Sequence, residues 1–136
     1  MYYEKQLRIP FSFVDAAGIL FFARVGDLFH QVYEDWWTEF ADWQASFASS
    51  ELALPLVSWQ VTYKEAVKAG DIISIRLHVE DIGKSSFQLE SKAFTGEGRL
   101  LWTTRSTHVF VDKKTGKSLK IPNDRYNYLQ KYQPTS

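Results

Sequence analysis

The chain has no cysteine and one methionine. That excludes a disulfide, a thiolate nucleophile and a cysteine-type zinc site, and it suits a reducing cytoplasm. Net charge is also missing, since 16 Lys and Arg balance 16 Asp and Glu across 136 residues. Nucleic acid is therefore not expected as a partner, because neutralising phosphates needs a basic excess. No apolar run approaches the roughly 20 residues of a membrane span, and the N-terminus opens on charged and aromatic residues rather than a signal peptide. No membrane partner is expected. Gly-x-Ser-x-Gly, a phosphate-binding loop and a metalloprotease helix are all absent from the sequence.

Aromatic residues are abundant: five Trp, seven Tyr and ten Phe. A chain of this length forms one domain, taken here as 1–136, and buries about two-thirds of its unfolded surface. The excess of large apolar side chains points to a subunit interface or a ligand groove, and so to a homo-oligomer.

Residues 5–13 alternate loosely and read as a first strand broken at Pro10. From about Ala23 to Trp43, Val25, Leu28, Phe29, Val32, Trp36, Phe40 and Trp43 recur at steps of three and four. This predicts an amphipathic helix about 30 Å long. Gly26, in its first turns, marks either a close backbone approach or a tolerated irregularity. After a small-residue loop at 45–50, period-two stretches at 56–66, 71–82, 85–95 and 99–112 predict antiparallel strands. Turns fall at Gly70-Asp71, Gly83-Lys84 and Gly96-Glu97-Gly98, and a short helix is expected from Asn123 to about Tyr132. One long helix and about five strands make an α+β layout with the helix on one face of the sheet.

One acidic side chain, Asp15, sits in the apolar run Phe11-Ser12-Phe13-Val14-Asp15-Ala16-Ala17-Gly18-Ile19-Leu20-Phe21-Phe22, just before the long helix. A lone carboxylate there needs a partner, and free N–H groups at a helix start supply one. Asp15 is thus either a helix cap or a catalytic carboxylate.

The Asp, two small residues, Gly, two aliphatics and two aromatics before a long helix resemble the opening motif of the 4-hydroxybenzoyl-CoA thioesterase family. Asp15-Ala16-Ala17-Gly18 and His30-Gln31-Val32-Tyr33-Glu34 look most like its 1,4-dihydroxy-2-naphthoyl-CoA hydrolase branch. The later order of Ala69-Gly70-Asp71, Gly83-Lys84-Ser85-Ser86-Phe87 and His108-Val109-Phe110-Val111-Asp112 is similar as well. The resemblance implies a hot-dog fold, in which a curved five-stranded antiparallel sheet wraps a central helix and two subunits join their sheets. It implies an acyl-CoA thioesterase acting on an aromatic or fatty acyl group, with coenzyme A as part of the substrate and no cofactor.

In that reading Asp15 is nucleophile or general base, and the backbone amide of Phe22 donates to the thioester oxygen. Gly18 belongs to the substrate loop, and Ser58 and Trp59 line the acyl pocket. Lys84, Ser85, Ser86 and Phe87 form a turn along the coenzyme A arm. The chain departs from the family pattern at Val14, at Ala23-Arg24 and at Lys64-Glu65-Ala66. Two other readings stand beside it: a thioesterase for carrier-protein-bound chains, and a non-catalytic dimer that binds an acyl or aromatic ligand. A hot-dog dehydratase would need a histidine beside Asp15, and none is near in sequence.

The remaining polar residues have plainer readings. His30 and Glu34 make a surface or interface pair that lacks a third metal ligand. His78 shares a solvated face with Ser74, Arg76 and Glu80, and His108 is a packed histidine. Glu65 is a strand-end charge or a second carboxylate that holds water. Lys113, Lys114, Lys117 and Lys120 form a solvated basic turn or a rim for coenzyme A phosphates.

Overall fold

A computed structural model of the chain describes residues 1–42, 44–48 and 50–134. Its elements are β1 (Tyr3–Arg8), α1 (Val25–Thr38), β2 (Leu52–Ala53), β3 (Leu56–Tyr63), β4 (Ile72–Ile82), β5 (Ser86–Phe94), β6 (Leu100–Val109), β7 (Val111–Asp112) and α2 (Asn123–Lys131). The main sheet has five antiparallel strands in the order β1-β4-β5-β6-β3, and β2 pairs with β7 beside it.

Strand alternation builds the core. Ile73, Ile75, Leu77 and Val79 of β4 and Phe87, Leu89 and Ala93 of β5 are buried in one cluster with Val25, Leu28, Phe29, Val32 and Trp36 of α1. The same alternation sends Arg76, His78 and Glu80 to the other face, as expected for a solvated row. There Glu90 is held by Arg105 at 2.9 Å, with His78 and Lys92 at 3.8 and 3.6 Å.

The helix is shorter than the apolar spacing predicts: α1 has 14 residues, about 21 Å. At its N-terminal end, Phe22–Arg24 form a 3-10 turn instead of α-helix. At its C-terminal end the hydrogen bonds tighten, with Glu39 N–H bonding the Asp35 and Trp36 carbonyls and Phe40 N–H that of Trp37. Asp42 then takes the Ala45 amide at 3.0 Å and starts a π-helical turn over Gln44–Ala48. Phe40 packs beyond the helix end, and Trp43 lies outside the described residues. Trp37, off the expected stripe, is buried because Phe47, Phe40 and Tyr128 of α2 cover that side.

The first strand also stops early, at Arg8, and Phe11–Phe13 after Pro10 form a 3-10 turn. At Gly26 an added Cβ would meet nothing within 4 Å, so the glycine marks no close approach within the chain.

Candidate active site

Asp15 heads a tight turn. Its backbone N–H donates to Ile19 O at 2.8 Å, and Gly18 N–H donates to Asp15 O at 2.9 Å. Its carboxylate Oδ1 accepts the Ala17 and Ile19 amides at 2.9 and 3.1 Å. Asp15 therefore caps its own turn, not α1. Gly18 closes the turn at φ +78, a region that costs a residue with a Cβ about 1–2 kcal/mol. Bridges Val14–Leu20 and Ile19–Lys68 fasten the loop, and Leu20 N–H bonds Val67 O at 2.8 Å. The Asp15 Oδ2 oxygen accepts no hydrogen bond among the described residues, and the side chain is exposed on the single chain.

The loop then delivers the chain to the helix. Phe21 N–H donates to Phe13 O at 2.8 Å, while the Phe22 and Ala23 amides find no acceptor among the described residues. Tyr63, at the end of β3, donates its hydroxyl to Phe22 O at 2.8 Å. Arg24 N–H donates to Phe21 O at 2.9 Å, so the peptide that carries the Phe22 N–H is polarised at its carbonyl end. A cavity of about 270 Å³ opens beside these groups, lined by Leu20, Phe22, Tyr63, Glu65, Val67 and Trp102 among others. Glu65 reaches this wall, but both its oxygens face Arg99 Nε at 3.3 and 3.2 Å, the pairing of a strand-end charge.

A larger cavity, about 450 Å³, lies between α1 and β3. Trp59 lines it with Gly26, Phe29, Tyr33, Leu56 and His108. Ser58 precedes Trp59 on the strand, points to the opposite face and is not among the lining residues. His108 is 2% exposed and its ring lies nearly parallel to those of Tyr33 (4.9 Å, 14°) and Phe87 (5.2 Å, 15°). It is a packed histidine, as expected. Sequence reasoning missed Tyr33 and Tyr63, whose roles come from contacts between distant segments with no local signal.

Phe87 does not belong to the turn surface. It is 1% exposed and turned into the core under His108, because it shares the inward parity of Leu89 and Ala93. Lys84 is exposed and Ser85 and Ser86 are half-buried; the carbonyls of Lys84 and Ser85 accept the Ile121 and Phe110 amides at 2.9 and 2.8 Å. His30 and Glu34 are exposed and His30 stands at the rim of the larger cavity. Lys113 is taken up by the Phe47 and Ala48 carbonyls.

Burial pushes the His108 imidazole down to about 4 from 6.5. Between those values the unfolded chain binds a proton that the folded chain does not. Stability therefore falls as pH drops through this window, by about 3 kcal/mol in all, and His108 contributes nothing to pH dependence above about 7. Urea midpoints from pH 7 to pH 4.5 are expected to fall more steeply in the wild type than in His108→Phe.

The description "Thioesterase-like superfamily" fits residues 9–129, so the chain belongs to that superfamily and its wrapped sheet is a hot-dog fold. Thioester hydrolysis, the enzyme class expected from the sequence, is the class its relatives carry in name. A 1,4-dihydroxy-2-naphthoyl-CoA hydrolase of Trichodesmium erythraeum is 24% identical over 135 residues, covering 97% of each chain. A crystal structure of a 1,4-dihydroxy-2-naphthoyl-CoA thioesterase from Synechocystis superposes with a TM-score of 0.88 at 19% identity, covering 96% of each chain. A Staphylococcus aureus protein solved in complex with CoA gives 0.91 at 16% identity, covering 100% of this chain and 88% of that one. Among the described residues no helix is long and apolar enough to cross a membrane.

Proposed function

We propose that the chain is a cytoplasmic acyl-CoA thioesterase whose substrate is an aromatic acyl-CoA. The observation that carries this reading is that the segment entering the helix holds a carboxylate with one oxygen, and then two amides, that find no partner among the described residues. Oδ1 is spent on the turn, which fixes the direction of Oδ2. Oδ2 then either attacks the thioester carbon, giving a mixed anhydride that water cleaves, or takes a proton from the attacking water. In both routes negative charge builds on the thioester oxygen, where the Phe22 amide receives it, and the C–S bond breaks to release coenzyme A as the thiolate. Neither route calls for a metal or redox cofactor. The names of the relatives and the aromatic lining of the 450 Å³ cavity favour an aromatic acyl group over a straight chain. Gly18 keeps the loop shape, Trp59 faces the acyl group, and Lys84, Ser85 and Ser86 remain the candidate contacts for the coenzyme A arm.

A second copy completes the site in this reading. β3 is an edge strand whose Leu56, Val57, Trp59 and Tyr63 are exposed, and Phe11, Phe21 and Phe22 are exposed beside Asp15. An apolar edge of this kind is a template for pairing, here with β3 of another copy in a homodimer or homotetramer. Sedimentation at micromolar concentration is expected to show a dimer or tetramer. Val57→Glu, which puts charge on that edge, is expected to shift the protein toward monomer and to lower turnover with it. Thiol release from benzoyl-, naphthoyl- and straight-chain acyl-CoAs tests the substrate class. Faster turnover of the aromatic members supports the reading, and equal or slower turnover of them refutes it.

A further inference from the structure

The 450 Å³ cavity between α1 and β3 has a size suited to a small planar ligand and a lining that is mostly apolar. Besides Tyr33 and, at the rim, His30, one buried polar side chain breaks that lining from beneath. His108 is 2% exposed, and its Nε2 is engaged by Ser106 Oγ at 2.8 Å. Its Nδ1 has no partner among the described residues, and it is not among the buried atoms shut off from contact. Nδ1 therefore keeps contact with the cavity's solvent, and a ligand hydroxyl seated there takes the place of water as its hydrogen-bond partner.

We propose that His108 is a specificity-determining residue, holding through Nδ1 a ring hydroxyl of a planar acyl group seated in this cavity. The proposal rests on the thioesterase reading and deepens it. The ring of His108 is fixed on two sides. Ser106 sets its rotation, and Tyr33 and Phe87 hold it in near-parallel contact. Phe29 and Trp59 meet edge to face at 5.0 Å and leave flat walls for an aromatic ring. A hydroxyl suits the site whichever tautomer Ser106 selects, because it donates to a bare Nδ1 and accepts from a protonated one.

Burial keeps the imidazole neutral at neutral pH, which favours a hydroxyl over a carboxylate at this spot. The other titratable groups lining the cavity are Tyr33, whose phenol is raised by burial, and His30 at the rim.

The test is fluorescence titration of the full chain with two free acids, 2-naphthoate and 4-hydroxy-2-naphthoate, which needs no turnover. The wild type is expected to bind the hydroxylated acid about 10-fold or more tightly than the unsubstituted one. His108→Phe keeps an aromatic ring in the stack and is expected to reduce that preference to within about 2-fold, with 2-naphthoate affinity retained. His108→Gln keeps a polar group and is expected to retain part of the preference, which serves if the Phe variant loses its fold by circular dichroism. On the corresponding CoA esters His108→Phe is expected to raise KM for the hydroxylated ester alone. Equal wild-type affinity for the two acids, no binding of either, or an unchanged preference in a folded variant would overturn the proposal. Failure of the thioesterase reading registers separately, as no thiol release by the wild type from any acyl-CoA.

Discussion

Asp15→Asn is expected to lower kcat about 10²- to 10⁴-fold on the best aromatic acyl-CoA while leaving the protein folded. The substitution is unusually clean at this position. Asn retains one carbonyl oxygen, which can take the place of Oδ1 and go on accepting the Ala17 and Ile19 amides. The turn, the Gly18 conformation and the bridges to Val67 and Lys68 should all survive. What is lost is the oxygen that accepts no hydrogen bond among the described residues, replaced by an NH₂ group that is neither nucleophile nor base. Asp15→Ala would remove both roles at once and let the loop drift from Phe22, so its loss of activity would say less. Steady-state kinetics with a thermal melt on each variant checks the expectation. A KM close to the wild-type value with kcat lost is the pattern of a group that acts on the reacting carbonyl.

The second large effect is on stability. Trp36 is 0% exposed and its indole meets Tyr33, Trp37, Tyr128 and Tyr132. It therefore joins the central helix to α2, and Tyr128 adds a hydroxyl bond to the Trp36 carbonyl. Trp36→Ala leaves a cavity between two layers and is expected to cost about 3–5 kcal/mol of unfolding free energy. Trp36→Phe should cost much less. It keeps an aromatic ring and removes the indole N–H, which is buried without a partner among the described residues and already counts against the folded state. Urea unfolding at one fixed protein concentration measures both, since association would otherwise shift the midpoints. A Phe variant no more stable than the Ala variant would mean that ring size, not the aromatic contact, sets the packing.

The strands and the central helix could be read from the sequence because each rests on local periodicity. Ile73, Ile75, Leu77 and Val79 alternate, and Val25, Leu28, Phe29, Val32 and Trp36 recur at helical spacing, so burial followed. The end of the helix could not be read. Its apolar spacing continues to Trp43, but the backbone leaves the α-helix after Thr38 and Asp42 accepts the Ala45 amide beyond it. Asp15 was legible as a residue needing N–H partners; which N–H groups they were depended on the positive φ of Gly18, which folds the chain back within four residues.

Parity explains two other differences. Neighbouring residues on a strand cannot both face one pocket, so Trp59 lines the cavity while Ser58 turns away. Phe87 sits one step past a turn and already belongs to the inward row of β5. The least legible features join distant segments. The Tyr63 hydroxyl on Phe22 O and the stack of Tyr33, His108 and Phe87 each depend on the sheet order, which no local pattern encodes.

The most direct measurement is thiol release from 1,4-dihydroxy-2-naphthoyl-CoA by the wild type and Asp15→Asn side by side. Steady wild-type release of coenzyme A, with the variant slower by two orders of magnitude or more, is the expected result. Wild-type turnover that the variant matches would remove Asp15 from the chemistry. No wild-type release from this or any other acyl-CoA would contradict the catalytic account and favour the reading of a non-catalytic protein that binds an acyl or aromatic ligand.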